Sequence, residues 1–344
     1  MTMHIGIVST GVYLPRNSIS AEQIAEATNI PVDVIVNKFG VKQKPVALED
    51  DTTAEMGIKA ALKALEKGNI DASEVDLVIW FGAQHKDYPC WLAGLYIADR
   101  IGAKNAWSFD MEAMCGSFMT AIEIGRSLML TRKDCNTVLL VSGYRNNDLV
   151  DLKENSTHFM LDLGSGGTAA ILKKNAGKNV ILGSAFKGDG SFSTQCIFPV
   201  FGCKSWPVKA EDLDKSHFIV VDEPYFKEQL NAKTLPNFFK VIDNALSSSG
   251  NLTRKDINYL AILHFKKSAH MAVLQELGLS ESQTVYLDSY GHIGQNDQII
   301  SLELGLLEGK VKDNYNIVMV GAGLGFVWAA CVVRWGPFEE PIVS

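Results

Sequence analysis

Two stretches of this chain recur in its second half, and the repeat limits the folds that the chain can adopt. Residues 68–81 align without a gap on residues 250–263, and most of their apolar and polar positions agree. Residues 137–143 match residues 316–322 at nearly the same offset. Self-similarity over such a distance indicates a structural unit that occurs twice. The repeat therefore predicts a chain built from two related halves.

The repeated segments also predict the fold class. Leu77–Phe81 and Val138–Val141 are uninterrupted apolar runs, which is typical of strands buried on both faces. Such strands need helices on each side of their sheet. We therefore predict an α/β fold with one unit in residues 1–175 and its duplicate in residues 176–344.

Composition excludes several classes of function. The chain has 344 residues, 47% of them hydrophobic, and a net charge of −7, which opposes nucleic-acid binding. No apolar run approaches about 18 residues, so neither secretion nor membrane insertion is indicated. The 6 cysteines are scattered, without metal spacing or a disulfide pattern. We expect a cytoplasmic protein with no metal, nucleic-acid or membrane partner.

Cys115 stands where a predicted strand ends and a predicted helix begins. Residues 106–110 predict a short buried strand, and apolar residues recur at helical spacing over residues 116–130. The free N–H groups and the dipole at a helix start favour a thiolate. Cys115 is therefore a candidate nucleophile. The alternative is a buried apolar residue, as many free cysteines are.

The repeat links Cys115 to two histidines. Shifting Cys115 by the offset of the second match leads to Gly294, two residues after His292. A helical pattern follows here too, so we expect the two helix starts to face each other. In the same half, the predicted strand over residues 260–263 ends at His264. Functional side chains commonly gather at strand ends of α/β sheets, so both histidines are candidates.

The order of several motifs resembles the thiolase superfamily and, within it, the β-ketoacyl-acyl-carrier-protein synthase III group. The motifs are residues 4–15, the nucleophile segment 109–118, the glycine-rich residues 164–170, the strand ending in Leu263-His264, and residues 321–328. The resemblance covers almost the whole chain. It implies a five-layer αβαβα sandwich of two duplicated halves, usually assembled as a homodimer.

The resemblance also implies chemistry and site residues. Cys115 matches the nucleophile that accepts an acyl group from coenzyme A or an acyl carrier protein. His264 and His292 then stabilise the enolate formed when a malonyl thioester loses carbon dioxide. The backbone N–H groups of Cys115 and Leu324 match the oxyanion hole for acyl transfer. The implied protein is an acyl-thioester condensing enzyme that needs no cofactor.

His292 departs from the group's pattern, because synthases of type III usually carry asparagine there. An imidazole can donate a hydrogen bond, but it can also act as a base. A non-decarboxylating acyltransferase of a secondary-metabolite pathway therefore stays open, as does a non-catalytic partner subunit. Retention of Cys115 and His264 argues against the non-catalytic reading.

The predicted substrate entrance also differs from the pattern of the synthase III group. Val34 and Lys38 stand where the group has the tryptophan and arginine that sandwich the adenine of coenzyme A, which favours a carrier-bound donor or another pose of coenzyme A. Tyr88 and Trp91 match the region that lines the acyl tunnel and the dimer interface. The substrate-binding candidates are thus Lys38, Tyr88 and Trp91. Basic residues near His264 are either a docking patch for an acidic carrier or an ordinary solvated face: Arg254, Lys255, Lys266 and Lys267.

Overall fold

The computed structural model describes residues 3–82 and 85–338. Its strands are β1 Ile5–Tyr13, β2 Ser18–Ser20, β3 Gln43–Pro45, β4 Leu77–Gly82, β5 Trp107–Glu112, β6 Thr137–Tyr144, β7 Gly166–Lys174, β8 Lys178–Gly188, β9 Cys196–Ile197, β10 Ile219–Val220, β11 Tyr259–Ile262, β12 Asn316–Gly323 and β13 Val327–Pro337. Its α-helices are α1 Ala21–Thr28, α2 Val32–Val34, α3 Thr53–Gly68, α4 Ala93–Arg100, α5 Ser117–Thr131, α6 Glu223–Ser248, α7 Lys267–Leu277 and α8 Asp297–Leu307.

The main sheet consists of two half-sheets, and four strands of the first have the same topology as the four strands of the second. The first has the order β5-β4-β6-β7-β1, and the second has the order β11-β12-β13-β8. β4 is parallel to β6, which is antiparallel to β7, and β7 is antiparallel to β1. β11, β12, β13 and β8 repeat these relationships in turn. The half-sheets meet at the pair Gly6 and Val180. The predicted duplication of the fold is confirmed.

Alternate strand residues pack into different layers, as the pleat requires. In β6, Val138 and Leu140 belong to a central core that includes α5 and α8, whereas Leu139 and Val141 face an outer core with α3 and α4. The second half-sheet contributes to the same central core and covers its outer face with α6 and α7. The five layers are thus α3/α4, half-sheet, α5/α8, half-sheet and α6/α7. The predicted αβαβα sandwich is confirmed.

One expectation about a domain boundary and one about burial have different outcomes. β7 ends at Lys174 and β8 begins at Lys178, so the predicted division at residue 175 falls between these strands. The division into domains stays a prediction. The prediction that β5 is buried is wrong, because β5 is the edge strand and its residues are half-buried or exposed. Trp107 at its start is 44% exposed.

Candidate active site

A strained turn between β5 and α5 presents Cys115. Met114 has a left-handed backbone with φ +48, which costs a residue with a side chain roughly 1–2 kcal/mol. Residues Met114–Gly116 then form one 3₁₀ turn before α5 begins. The N–H of Ala113 donates to Oγ of Ser117 at 2.7 Å, which closes the turn from the strand side. Cys115 is left half-buried at the helix start.

The equivalent turn in the second half faces the first. Residues Gly294–Asn296 form a 3₁₀ turn before α8, and Gly294 has φ +59. His292 lies just before this turn. Its Nε2 atom lies 3.2 Å from Sγ of Cys115, and its side chain is 12% exposed. The structure therefore brings the thiol of Cys115 and the imidazole of His292 within hydrogen-bonding reach.

Asp297 holds the ring of His292, and the sequence analysis did not single it out. Nδ1 of His292 donates to Oδ2 of Asp297 at 2.6 Å, and the Asp297 side chain is fully buried. Burial by itself would lower the pKa of His292, but the negative charges of Asp297 and Cys115 and the hydrogen bonds to them hold that pKa well above its ordinary value. The signal in the sequence was an acidic residue opening a predominantly apolar helix, five residues after His292.

His264 lies close by, but its ring points to other partners. Nδ1 of His264 donates to Oδ2 of Asp162 at 2.8 Å, and Nε2 lies 3.1 Å from the carbonyl oxygen of Gly40. Its side chain is fully buried. Both ring nitrogens thus have a partner within hydrogen-bonding distance. The enolate-stabilising role that the resemblance implies for His264 stays a prediction.

The two histidine–aspartate pairs are linked through their backbones. The N–H of His264 donates to Oδ2 of Asp297 at 2.8 Å, and the N–H of His292 donates to the carbonyl oxygen of Asp162 at 2.8 Å. Burial raises the pKa of Asp162, but the hydrogen bond from His264 and nearby positive charges outweigh burial and lower that pKa. Each aspartate therefore supports both histidine segments.

Two further buried groups border these pairs. The ring of Tyr144 lies 6.3 Å from the ring of His292, and burial, followed by the charge of Cys115, raises the Tyr144 pKa well above its ordinary value. Nζ of Lys44 donates to the carbonyl oxygen of Leu161 at 2.7 Å. Burial lowers the pKa of Lys44 to about 8, against the attraction of Asp162. Tyr144 is thus a neutral phenol beside the base.

The backbone of β12 approaches the nucleophile closely. A Cβ atom added to Gly323 would lie 2.7 Å from the backbone nitrogen of Cys115 and 2.4 Å from Cβ of Met114. Leu324 follows directly in the turn between β12 and β13. This approach is compatible with an oxyanion hole formed by the N–H groups of Cys115 and Leu324, which stays a prediction.

The other predicted binding residues lie at the surface. Lys38 is exposed, in a π-helical segment over residues Ile35–Phe39. Partial burial and the charge of Lys38 lower the pKa of Lys266. Arg254 forms ion pairs with Asp243 and Glu276, so its charge is neutralised locally.

Tyr88 and Trp91 occupy a loop anchored by two aspartates. The hydroxyls of Thr52 and Thr53 donate to Asp87 at 2.8 and 2.7 Å, and the N–H groups of Ala93 and Gly94 donate to Asp110 at 2.9 Å. The ring of Tyr88 lies edge-on to that of Trp91, and Tyr88 is 65% exposed. Within one chain these residues therefore form a surface feature beside β5. Their role in substrate binding stays a prediction.

Over residues 3–82 and 85–338, no group of three or more His, Cys, Asp or Glu side chains is arranged to hold a metal ion. Among the helices of these same residues, none combines the length and apolar character needed to cross a bilayer.

Fold and site together define a thiolase-type enzyme with a cysteine at the pseudo-symmetric helix start. The family model 3-oxoacyl-[acyl-carrier-protein] synthase III matches residues 109–190, and its C-terminal model matches residues 248–335. The β-ketoacyl-[acyl-carrier-protein] synthase III of Clostridium tetani is 30% identical, with 96% of this chain and 98% of that protein aligned. The chain belongs to the β-ketoacyl-acyl-carrier-protein synthase III family and is an acyl-thioester condensing enzyme.

One further relative agrees with this assignment, and one solved structure shares the fold. The β-ketoacyl-[acyl-carrier-protein] synthase III of Oceanobacillus iheyensis is 27% identical, with 97% of this chain and all of that protein aligned. The crystal structure of 3-oxoacyl-[acyl-carrier-protein] synthase III from Aquifex aeolicus superposes with a TM-score of 0.83 at 22% identity, covering 96% of this chain and 100% of that chain. The superposition supports the fold.

Proposed function

We propose that the enzyme transfers an acyl group from a thioester to Cys115 and then condenses it with a malonyl thioester, with loss of carbon dioxide. The observation that carries this proposal is the 3.2 Å approach of His292 Nε2 to Cys115 Sγ, at the start of α5. A base within reach of a thiol at a helix start produces the nucleophile that acyl transfer needs.

In the first half-reaction, His292 accepts the thiol proton and the thiolate attacks the acyl carbonyl. The N–H groups of Cys115 and Leu324 hold the oxyanion of the tetrahedral intermediate. His292 then returns its proton to the departing thiolate of coenzyme A or the carrier. The acyl group is now a thioester on Cys115.

In the second half-reaction, a malonyl thioester loses its carboxylate as carbon dioxide, and the electron pair of the broken bond forms an enolate. The enolate carbon attacks the acyl carbonyl, the new carbon–carbon bond forms, and Cys115 leaves as a thiolate. A donor must stabilise the enolate oxygen: His292, which takes up a proton from solvent after the first half-reaction, supplies an N–H there and then gives that proton to the Cys115 thiolate. His264 supports this site through its bonds to Asp162 and to Asp297. Each step uses side chains and thioesters only, so no cofactor is needed.

The acyl donor is coenzyme A or an acyl carrier protein, whose acidic surface suits a basic entrance. Lys38 and Lys266 are close enough that the charge of Lys38 lowers the pKa of Lys266, after the effect of burial. We assign this pair to the phosphate end of the donor. The free cysteines of the chain suit a reducing cytoplasm.

We also propose that the enzyme acts as a homodimer joined along β5. β5 is a sheet edge, and unpaired edges invite pairing with another strand. Large apolar side chains are exposed on and beside this edge: Tyr88 65%, Leu92 48%, Leu95 56% and Trp107 44%. A second copy would bury this patch and enclose Tyr88 and Trp91, as an acyl tunnel requires.

Mass spectrometry of the intact protein tests the proposed function. After incubation with acyl-coenzyme A or an acylated carrier, we expect one acyl adduct, present in the Cys90→Ser variant and absent in Cys115→Ala. Cys90 is the matched control because it is also a free cysteine. Addition of a malonyl thioester should then release carbon dioxide and a β-ketoacyl product. Absence of the adduct contradicts an enzymatic role, and an adduct transferred without carbon dioxide release contradicts condensation.

A further inference from the structure

We infer that Asp297 is a positioning residue that lets the single imidazole of His292 serve both half-reactions, while His264 is held away from the reacting atoms. This inference rests on the proposed function, because it assigns its two proton-dependent steps to one ring. It differs from the arrangement implied by the family resemblance, in which the imidazoles of His264 and His292 both stabilise the enolate.

The carboxylate of Asp297 is anchored on three sides. Oδ1 accepts the N–H of Ile293 at 2.7 Å, and Oδ2 accepts the N–H of His264 at 2.8 Å and Nδ1–H of His292 at 2.6 Å. Two of these donors are backbone groups, so the carboxylate cannot turn without losing them. Because an ionised carboxylate only accepts hydrogen bonds, Nδ1 of His292 must carry its hydrogen.

This fixed tautomer decides what Nε2 of His292 offers to the pocket. In the neutral ring, Nε2 is a lone pair 3.2 Å from Sγ of Cys115 and can accept the thiol proton. In the charged ring, the same atom is an N–H donor and can bind the enolate oxygen. The charge of Asp297 stabilises the charged ring, so both forms are accessible to one residue.

His264 does not supply a second donor in this arrangement. Its Nδ1 and Nε2 atoms are bonded to Asp162 and to the carbonyl of Gly40, and its side chain is fully buried. To reach the pocket it would have to break both bonds. The two histidine–aspartate pairs are therefore alike in chemistry and different in direction, and only the pair His292–Asp297 faces the thiol.

The charged and titratable groups around His292 come from several elements. Cys115 precedes α5, Tyr144 ends β6, Asp297 opens α8, and Asp162 lies between His264 and Lys44. Tyr144 is neutral, and Asp162 is hydrogen-bonded to His264 and lies near Lys44. Asp297 and the thiol of Cys115 contact the ring of His292 directly, and the charge of Asp162 acts on it through space.

The test compares Asp297→Asn with Asp162→Asn, since the two substitutions remove the same charge from the two pairs. Two pH profiles are recorded: the rate of Cys115 alkylation by iodoacetamide, and the rate of carbon dioxide release from malonyl-coenzyme A. In Asp297→Asn, the alkylation midpoint should move to higher pH and the alkaline limit of decarboxylation to lower pH, with each rate at neutral pH reduced roughly tenfold or more. In Asp162→Asn, thermal stability should fall and both midpoints should move less than in Asp297→Asn.

A purely structural defect would not move the midpoints of alkylation and decarboxylation in opposite directions. Unchanged midpoints in a folded Asp297→Asn protein, or equal movements in both variants, would overturn the inference. Should Asp297→Asn not fold, ¹⁵N spectra of histidine-labelled wild-type protein decide instead. Nδ1 of His292 should stay protonated from about pH 5 to 9, and a neutral ring protonated at Nε2 refutes the assignment. Both the alkylation profile and the spectra are measurable without turnover, so failure of condensation is distinguishable from failure of this inference.

Discussion

Met114 and Gly294 occupy equivalent positions in the two halves, and both have a left-handed backbone, with φ +48 and φ +59. Each begins a 3₁₀ turn that leads into a helix of the central layer. The next residue is Cys115 in one half and Gln295 in the other. Gln295 is buried and donates to Oγ of Ser142 at 2.6 Å. The same backbone conformation thus presents the thiol of Cys115 in the first half and the buried side chain of Gln295 in the second.

Gly294→Ala should destabilise the protein more than Gly309→Ala. Both glycines have positive φ, +59 and +66, so each substitution brings a backbone strain of about 1 kcal/mol. A Cβ at Gly294 would also lie 2.3 Å from Cε2 of Tyr144, whereas nothing lies within 4 Å of one at Gly309. Overpacking of this kind costs a further 1–3 kcal/mol or so. Chemical denaturation measures both, and equal losses would contradict the packing described.

Gly323→Ala should slow acylation of Cys115 while the protein stays folded. The added Cβ would lie 2.4 Å from Cβ of Met114 and 2.7 Å from the Cys115 nitrogen, so the nucleophile turn must shift. A misplacement of about 1 Å can cost roughly a hundredfold in rate. Adduct formation followed by mass spectrometry gives the rate. Gly188→Ala, which meets nothing within 4 Å, should acylate at the wild-type rate; a matching rate in Gly323→Ala would refute the close approach.

Lys44→Met should change how stability depends on pH. Burial lowers the pKa of Lys44 from 10.5 to about 8, so the unfolded chain binds this proton more tightly than the folded protein. The free energy of unfolding of the wild-type protein therefore increases as pH rises from about 8 towards 10.5, by up to about 3 kcal/mol. Lys44→Met lacks this gain. Chemical denaturation of both proteins at pH values across this window tests the prediction. A constant difference between their free energies of unfolding would show that the Lys44 amine titrates normally.

Leu95→Glu should weaken self-association if β5 and α4 form the dimer surface. Leu95 is 56% exposed on α4, beside the unpaired edge, and a carboxylate there would be buried against the partner. Sedimentation equilibrium should show a shift from dimer to monomer. Leu307→Glu, 83% exposed at the end of α8, should remain dimeric. A Leu95→Glu protein as dimeric as wild type would move the interface elsewhere.

Much of the fold was predictable because its signals are local. The repeat paired residues 68–81 with residues 250–263, and β4 and β11 do occupy equivalent places in the two half-sheets. The strand-to-helix position of Cys115 followed from periodicity alone. The exposure of β5 was not predictable in this way, because its place at the edge of the sheet depends on which strands pair, and the sequence does not give the pairing.

The orientation of each imidazole was not predictable from the sequence. His264 and His292 are both marked by their strand and helix ends, and the chain alone suggests that they converge. The acceptors at the ring of His264 come from two distant segments, Asp162 and Gly40, whereas the ring of His292 is held by Asp297, five residues along the chain. Nothing in the local sequence of His264 records those partners.

By itself, then, the sequence determined the duplicated α/β architecture, the nucleophile candidate at a helix start, and the family resemblance, because periodicity, repeats and turn residues are read along the chain. Only the tertiary structure decided which histidine meets the thiol and which carboxylate holds it. The physical reason is that a ring's orientation is set by hydrogen-bond partners brought together from both halves. Those contacts exist only after the half-sheets have packed around α5 and α8.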